Sequence, residues 1–114
     1  MTNKVKKVEI RMIAAIEENI DEIIALCKEH EVVRLEIFGS AVTDEFDPAQ
    51  SDFDFLVEYP DGYGWGPFGS RHFELQERLE AILGRKVDLV ILRNVENPYV
   101  IRSIQQSRQL LYAA

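Results

Sequence analysis

The stretch that decides the fold reads Ser51-Asp52-Phe53-Asp54-Phe55-Leu56-Val57. In an extended strand successive side chains point to opposite faces. Asp52 and Asp54 therefore project together, while Phe53 and Phe55 turn the other way, toward a core. Two neighbouring carboxylates repel, Asp is depleted from strands, and an unpaired ionised carboxylate in a half-buried sheet is costly. The pair has a plain explanation, with Asp52 as a turn or cap acid and Asp54 solvated at an edge. The other explanation is a cation between them. Magnesium takes oxygen ligands and is commonly held by one or two carboxylates together with substrate phosphates, and two such ions can serve both oxygens of a displacement.

Upstream, Val33, Leu35 and Ile37 alternate with Arg34 and Glu36, which predicts a strand over Val33–Phe38. Gly39 and Ser40 end it. A glycine there lets backbone approach a ligand, and the serine adds a hydroxyl and an amide where a phosphate could lie. The polar stretch Thr43–Ser51, with Pro48, reads as a turn and loop. Downstream, Lys86–Leu92 reads as a third strand whose apolar run holds one acid, Asp88. A solvated surface acid is not expected in such a run, and a salt bridge to Arg85 or another basic residue is the alternative to a ligand role.

Helices fill the intervals. Ile16, Ile20, Ile23, Ile24 and Cys27 recur at spacings of three and four. That pattern extends back through Met12 and Val8, with a break near Asn19. His30 marks the helix end and is read as a residue of that end, not as a ligand. Tyr59–Ser70 holds two prolines and four glycines among Tyr63, Trp65 and Phe68, an aromatic loop that could stack on a base, dock a partner or fold back on the sheet. Ser70 reads as the N-cap of a helix to Leu83, with Phe73, Leu75, Leu79 and Ile82 as its apolar positions and Gly84 as its stop. Asn97 and Pro98 open a last helix, ending near Leu111 or in a short terminal strand. The expected fold is α/β (α+β): a small mixed sheet flanked by helices, one domain over residues 1–114.

Composition sets the limits of function. The net charge of −7 repels phosphate backbones, whose binding rests on Lys and Arg, so direct nucleic-acid binding is not expected. Cys27 is the only cysteine, which excludes an intramolecular disulfide, and it is read as a core residue. With His30 and His72 the only histidines, a Cys/His zinc cluster is excluded. Met1–Lys7 lacks the apolar run of a signal peptide, and no stretch reaches the length of a membrane span. A cytoplasmic protein with no membrane contact is expected.

Phe38-Gly39-Ser40, eleven further residues (41–51), then Asp52-Phe53-Asp54-Phe55-Leu56-Val57 resembles the signature of the polymerase β-like nucleotidyltransferase superfamily. Arg85-Lys86-Val87-Asp88-Leu89-Val90 resembles the third-carboxylate strand of its minimal nucleotidyltransferase branch. The resemblance covers nearly the whole chain, although the Tyr59–Ser70 loop is less typical. It implies that Asp52, Asp54 and Asp88 are the catalytic carboxylates and hold two Mg2+ ions (Mn2+ as a substitute). It also implies that Gly39 and Ser40 bind the triphosphate of ATP or another nucleoside triphosphate. Many relatives of this branch are antitoxins encoded with an all-helical HEPN toxin, and some transfer AMP to a tyrosine of that toxin. The expectation is therefore an adenylyltransferase acting on a HEPN-type partner. The alternatives are a non-catalytic antitoxin that masks the toxin by binding, and a nucleotidyltransferase for a small molecule.

Overall fold

A computed structural model describes residues 14–42 and 52–114. The expected loop over 43–51 and the start of the first helix, with Val8 and Met12, lie outside the described residues. Residues 14–17 form a helical turn, and the helix is interrupted by a turn at Glu18–Asn19, where the Asn19 Nδ2 donates to the Ala15 carbonyl at 2.9 Å. Helix α1 follows over Ile20–Glu29, with Ile23, Leu26 and Cys27 buried. Then come strand β1 (Arg34–Phe38) and a short 3-10 turn, Gly39–Val42. Strand β2 is Phe53–Glu58, helix α2 is Ser70–Leu83, strand β3 is Val87–Ile91, helix α3 is Pro98–Ser107 and strand β4 is Gln109–Ala113.

The sheet order is β3-β2-β1-β4. β2 runs antiparallel to β1 and parallel to β3, and β4 pairs antiparallel with β1. The parallel β2–β3 pair needs a long crossover, and α2 supplies it. One face of the sheet buries Leu35, Ile37, Phe53, Phe55, Val57, Val87 and Leu89 against α1 and α2. The other carries a smaller cluster of Phe38, Leu56 and Ile104, flanked by Val90, Val95 and Val100, and α3 lies over it. On that second face Glu36 is buried, and Arg108 answers it with a fork of two bonds, Nε to Oε1 at 2.9 Å and a terminal nitrogen to Oε2 at 2.7 Å. Arg34 adds a third at 3.0 Å.

Two local expectations change, and one open alternative is decided. Ser70 is not the N-cap but the first residue of α2. The cap is Gly69, at φ +72° with no side-chain bond, because a positive φ at the loop end calls for glycine. Phe73 is more than half exposed, whereas Leu75 and Leu79 are fully buried: α2 turns its 75/79 stripe to the core and Phe73 lies off it. The last helix stops at Ser107, and the terminal strand is the alternative that forms. Cap positions at Asn97 and Gly84 hold as expected. The Asn97 Oδ1 accepts from the Tyr99 amide at 2.9 Å, and Gly84, at φ +65°, donates to the Glu80 carbonyl.

Candidate active site

The β2–β3 register places Asp54 directly across from Asp88, and the β1–β2 register places Phe38 across from Asp54 on its other side. Parity then puts Asp52 on the same face, two residues before Asp54. Three carboxylates thus converge at the end of the sheet where β2 and β3 begin. Asp52 and Asp54 are half-buried, and Asp88 is exposed. The exposure of Asp88 corrects the expectation that its apolar strand would shield it: β3 is an edge strand, and its second face is open at that point. The Asp54 carboxyl is pushed up to about 6, chiefly by burial, then by the charge of Asp88, a hydrogen bond with Asp88 and the charge of Asp52. Like charges held this close favour a shared proton or a cation.

Gly39 borders the same carboxylate. Its φ is +81°, and a Cβ built on it would stand 2.5 Å from the Asp54 Oδ2. Its amide donates to the Ser107 Oγ at 2.7 Å, and that hydroxyl in turn donates to the Ser103 carbonyl. The Gly39 amide is therefore engaged within the fold. Ser40 follows inside the 3-10 turn Gly39–Val42.

A hollow of about 410 Å³ opens over this corner, lined by Phe38, Asp54, Gln76, Asp88, Leu89, Val90, Tyr99, Val100 and Ser103. Its walls combine carboxylate, amide, hydroxyl and aromatic groups with the apolar Leu89, Val90 and Val100, and none of these lining residues is cationic. Such a donor set fits hard divalent ions with open positions. Tyr99 is four-fifths exposed at the start of α3. Sequence reading missed Gln76, Tyr99, Ser103 and Ser107. The Asn97-Pro98 start signal fixed where α3 begins, but no local signal says which sheet face it covers.

The aromatic loop lies elsewhere. Tyr59 follows Asp54 by five residues along β2, roughly 16 Å of extended chain, at the opposite end of the sheet. Tyr59 and Tyr63 stack at 4.4 Å between centroids, and Trp65 meets both edge-on at 4.9 Å. Tyr63 is buried and Trp65 packs on the core. Of the three loop aromatics, Phe68 alone is fully exposed, held at φ +55°.

Comparisons with known proteins show the family and the fold. Residues 20–111 match the nucleotidyltransferase domain family. A Methanocaldococcus jannaschii protein provisionally named a protein adenylyltransferase is 39% identical over 77 residues, covering 68% of this chain and 74% of the relative. A second from that organism, named alike, is 38% identical over 81 residues, covering 71% and 78%. Among solved structures, a provisionally named minimal nucleotidyltransferase superposes with a TM-score of 0.64 at 26% identity, covering 82% of this chain and 90% of its own. A Shewanella oneidensis complex of a tri-AMPylated HEPN toxin with its MNT antitoxin superposes with a TM-score of 0.59 at 23% identity, covering 86% and 72%, a likeness of fold. With the family model spanning most of the chain, this protein belongs to the nucleotidyltransferase domain family and is an enzyme of that class, built on the minimal nucleotidyltransferase fold.

Proposed function

We propose that this chain transfers AMP from ATP to a hydroxyl group, that of a tyrosine on a HEPN-type toxin, and so serves as the antitoxin of a toxin–antitoxin pair. The observation that carries the reading is the pairing of Asp54 with Asp88 across β2 and β3, with Asp52 on the same face and Gly39 against the Asp54 carboxylate. The names of the M. jannaschii relatives and the S. oneidensis complex supply the acceptor class.

In this reading Asp52, Asp54 and Asp88 would hold two magnesium ions (manganese as a substitute), which would supply positive charge for a displacement at the α-phosphate. The chain's own residues do the rest by position. Gly39 keeps the Asp54 carboxylate in place by leaving room for it. Ser40 and the 3-10 turn that contains it receive the phosphates, since the Gly39 amide is occupied by Ser107. Tyr99 offers a ring at the rim of the hollow. Asp88 is exposed at the edge strand, and this reading gives it the acceptor's side of the site. The acceptor oxygen bonds to the α-phosphorus, the bond from that phosphorus to the bridging oxygen breaks, pyrophosphate leaves, and the hydroxyl proton passes to solvent.

The test is incubation of the purified chain with ATP, magnesium and a HEPN-type protein from the same organism. Mass spectrometry should find one or more AMP additions on a toxin tyrosine. Toxin that is neutralised yet never modified would instead mark a masking antitoxin.

A further inference from the structure

The chain has two histidines, and they are treated differently. His72 is satisfied at both ring nitrogens, by the Tyr59 hydroxyl at 2.8 Å and the Leu89 carbonyl at 3.1 Å. His30, the C-cap of α1, is 3% exposed, and neither Nδ1 nor Nε2 has a hydrogen-bond partner. A buried imidazole with no partner is a costly arrangement that native proteins seldom keep without a use for it. Burial holds this ring below its ordinary pKa, hence neutral and with a free lone pair, in spite of the nearby Glu74 and Glu29.

The surroundings supply the use. The His30 Nε2 lies 3.5 Å from the Glu74 Oε1 of α2 and 3.9 Å from the Glu29 Oε2. The three ligand atoms all fall within 4.8 Å of one another. Two ligands bound tetrahedrally to one zinc ion, each at about 2.1 Å, stand about 3.4 Å apart. The spacing from His30 to Glu74 already matches that figure, and the remaining two, both within 4.8 Å, involve Glu29, an exposed side chain. Arg78, paired with Glu29 and 3.9 Å from Glu74, balances the carboxylates and could swing out.

We propose that Glu29, His30 and Glu74 form a second metal site, a three-ligand site for a zinc-class divalent ion that clamps the end of α1 to α2. Imidazole selects such borderline ions over magnesium, which prefers oxygen alone. The site rests on α1 and α2, which cover the face of the sheet opposite the three aspartates, and it does not depend on the transfer reading. With three protein ligands the fourth position stays open to water.

Cobalt(II) is the probe, because a tetrahedral cobalt site absorbs visible light and an octahedral one barely does. Untagged protein is titrated with cobalt chloride in excess magnesium, which occupies the aspartate site, and melting is followed with and without zinc. One equivalent of cobalt should give the tetrahedral spectrum and zinc should raise Tm. Glu74→Gln, at an exposed position, should weaken binding at least tenfold and abolish the Tm shift, as should His30→Asn. Asp54→Asn should leave both intact. The absence of a tetrahedral spectrum in the wild type would overturn the site, as would a spectrum unchanged in Glu74→Gln or lost in Asp54→Asn.

Discussion

Gly39 and Asp54 are in steric register: the Oδ2 of one occupies the space that a Cβ on the other would need, at 2.5 Å. Gly39→Ala therefore acts twice. Holding alanine at a φ of +81° costs about 1–2 kcal/mol of stability. The methyl group also pushes the Asp54 carboxylate from its place, and a displacement of about 1 Å at a reacting centre can cost on the order of 100-fold in rate. Thermal melting and AMP transfer measured together should show activity falling far more than stability. Full activity would mean that Asp54 tolerates the shift.

Asp54→Asn should abolish transfer and stabilise the metal-free protein. The sign follows from a folded pKa of about 6 against an ordinary 3.8. The folded state holds this proton more tightly than the unfolded chain, so ionisation of Asp54 opposes folding at neutral pH. Stability from this group rises as pH falls through about 6 and levels off below about 4. In the Asp54→Asn protein that slope should vanish, with a gain at neutral pH of roughly 1–2 kcal/mol after allowance for solvent screening. Urea denaturation in chelator, from about pH 4 to about pH 7.5, measures the difference.

Tyr99→Ala should weaken ATP binding by about tenfold with little change in Tm, since the ring is four-fifths exposed and aromatic stacking on a base is worth about 1–3 kcal/mol. Trp65→Ala should do the reverse, lowering Tm while sparing ATP affinity, because Trp65 packs against Tyr59 and Tyr63 at the far end of β2. Calorimetry with ATP and magnesium on both variants checks the crossing pattern. Equal loss of affinity in the two would refute Tyr99 as a base platform.

Arg108→Ala should destabilise the fold by about 1–3 kcal/mol, less than a fully buried pair because the arginine is partly exposed. It leaves Glu36, whose carboxyl the Arg108 hydrogen bonds hold below its ordinary value, with Arg34 alone. A depressed carboxylate contributes stability above its unfolded pKa and loses it as pH falls through its folded one. The difference between wild type and variant should hence shrink in acid, as chemical denaturation at about pH 7 and about pH 3.5 would show.

Much of this was legible in the sequence because the informative features are local. Strict alternation in Asp52–Phe55 revealed the shared face of the acids, Asn97-Pro98 marked the start of α3, and Gly84 marked the end of α2. What escaped depends on partners distant in the chain. The burial of Glu36 is set by Arg108, 72 residues away, and the engagement of the Gly39 amide by Ser107, 68 residues away. The exposure of Asp88 follows from strand order, which periodicity does not encode. Phe73 sits at a helical spacing compatible with the core stripe, and only the placement of α2 against the sheet turns it outward. His30 looked like an ordinary helix end until its missing hydrogen bonds were visible.

Helix α3 meets the candidate site at both extremities. Tyr99, near its N-terminus, lines the hollow, and Ser107, its last residue, grips the turn beside Asp54. Ten helical residues make a strut about 15 Å long, and a stiff strut does not tilt at one end alone. A rigid-body shift of α3 would thus carry Tyr99 and the Ser107 hold on the glycine turn together.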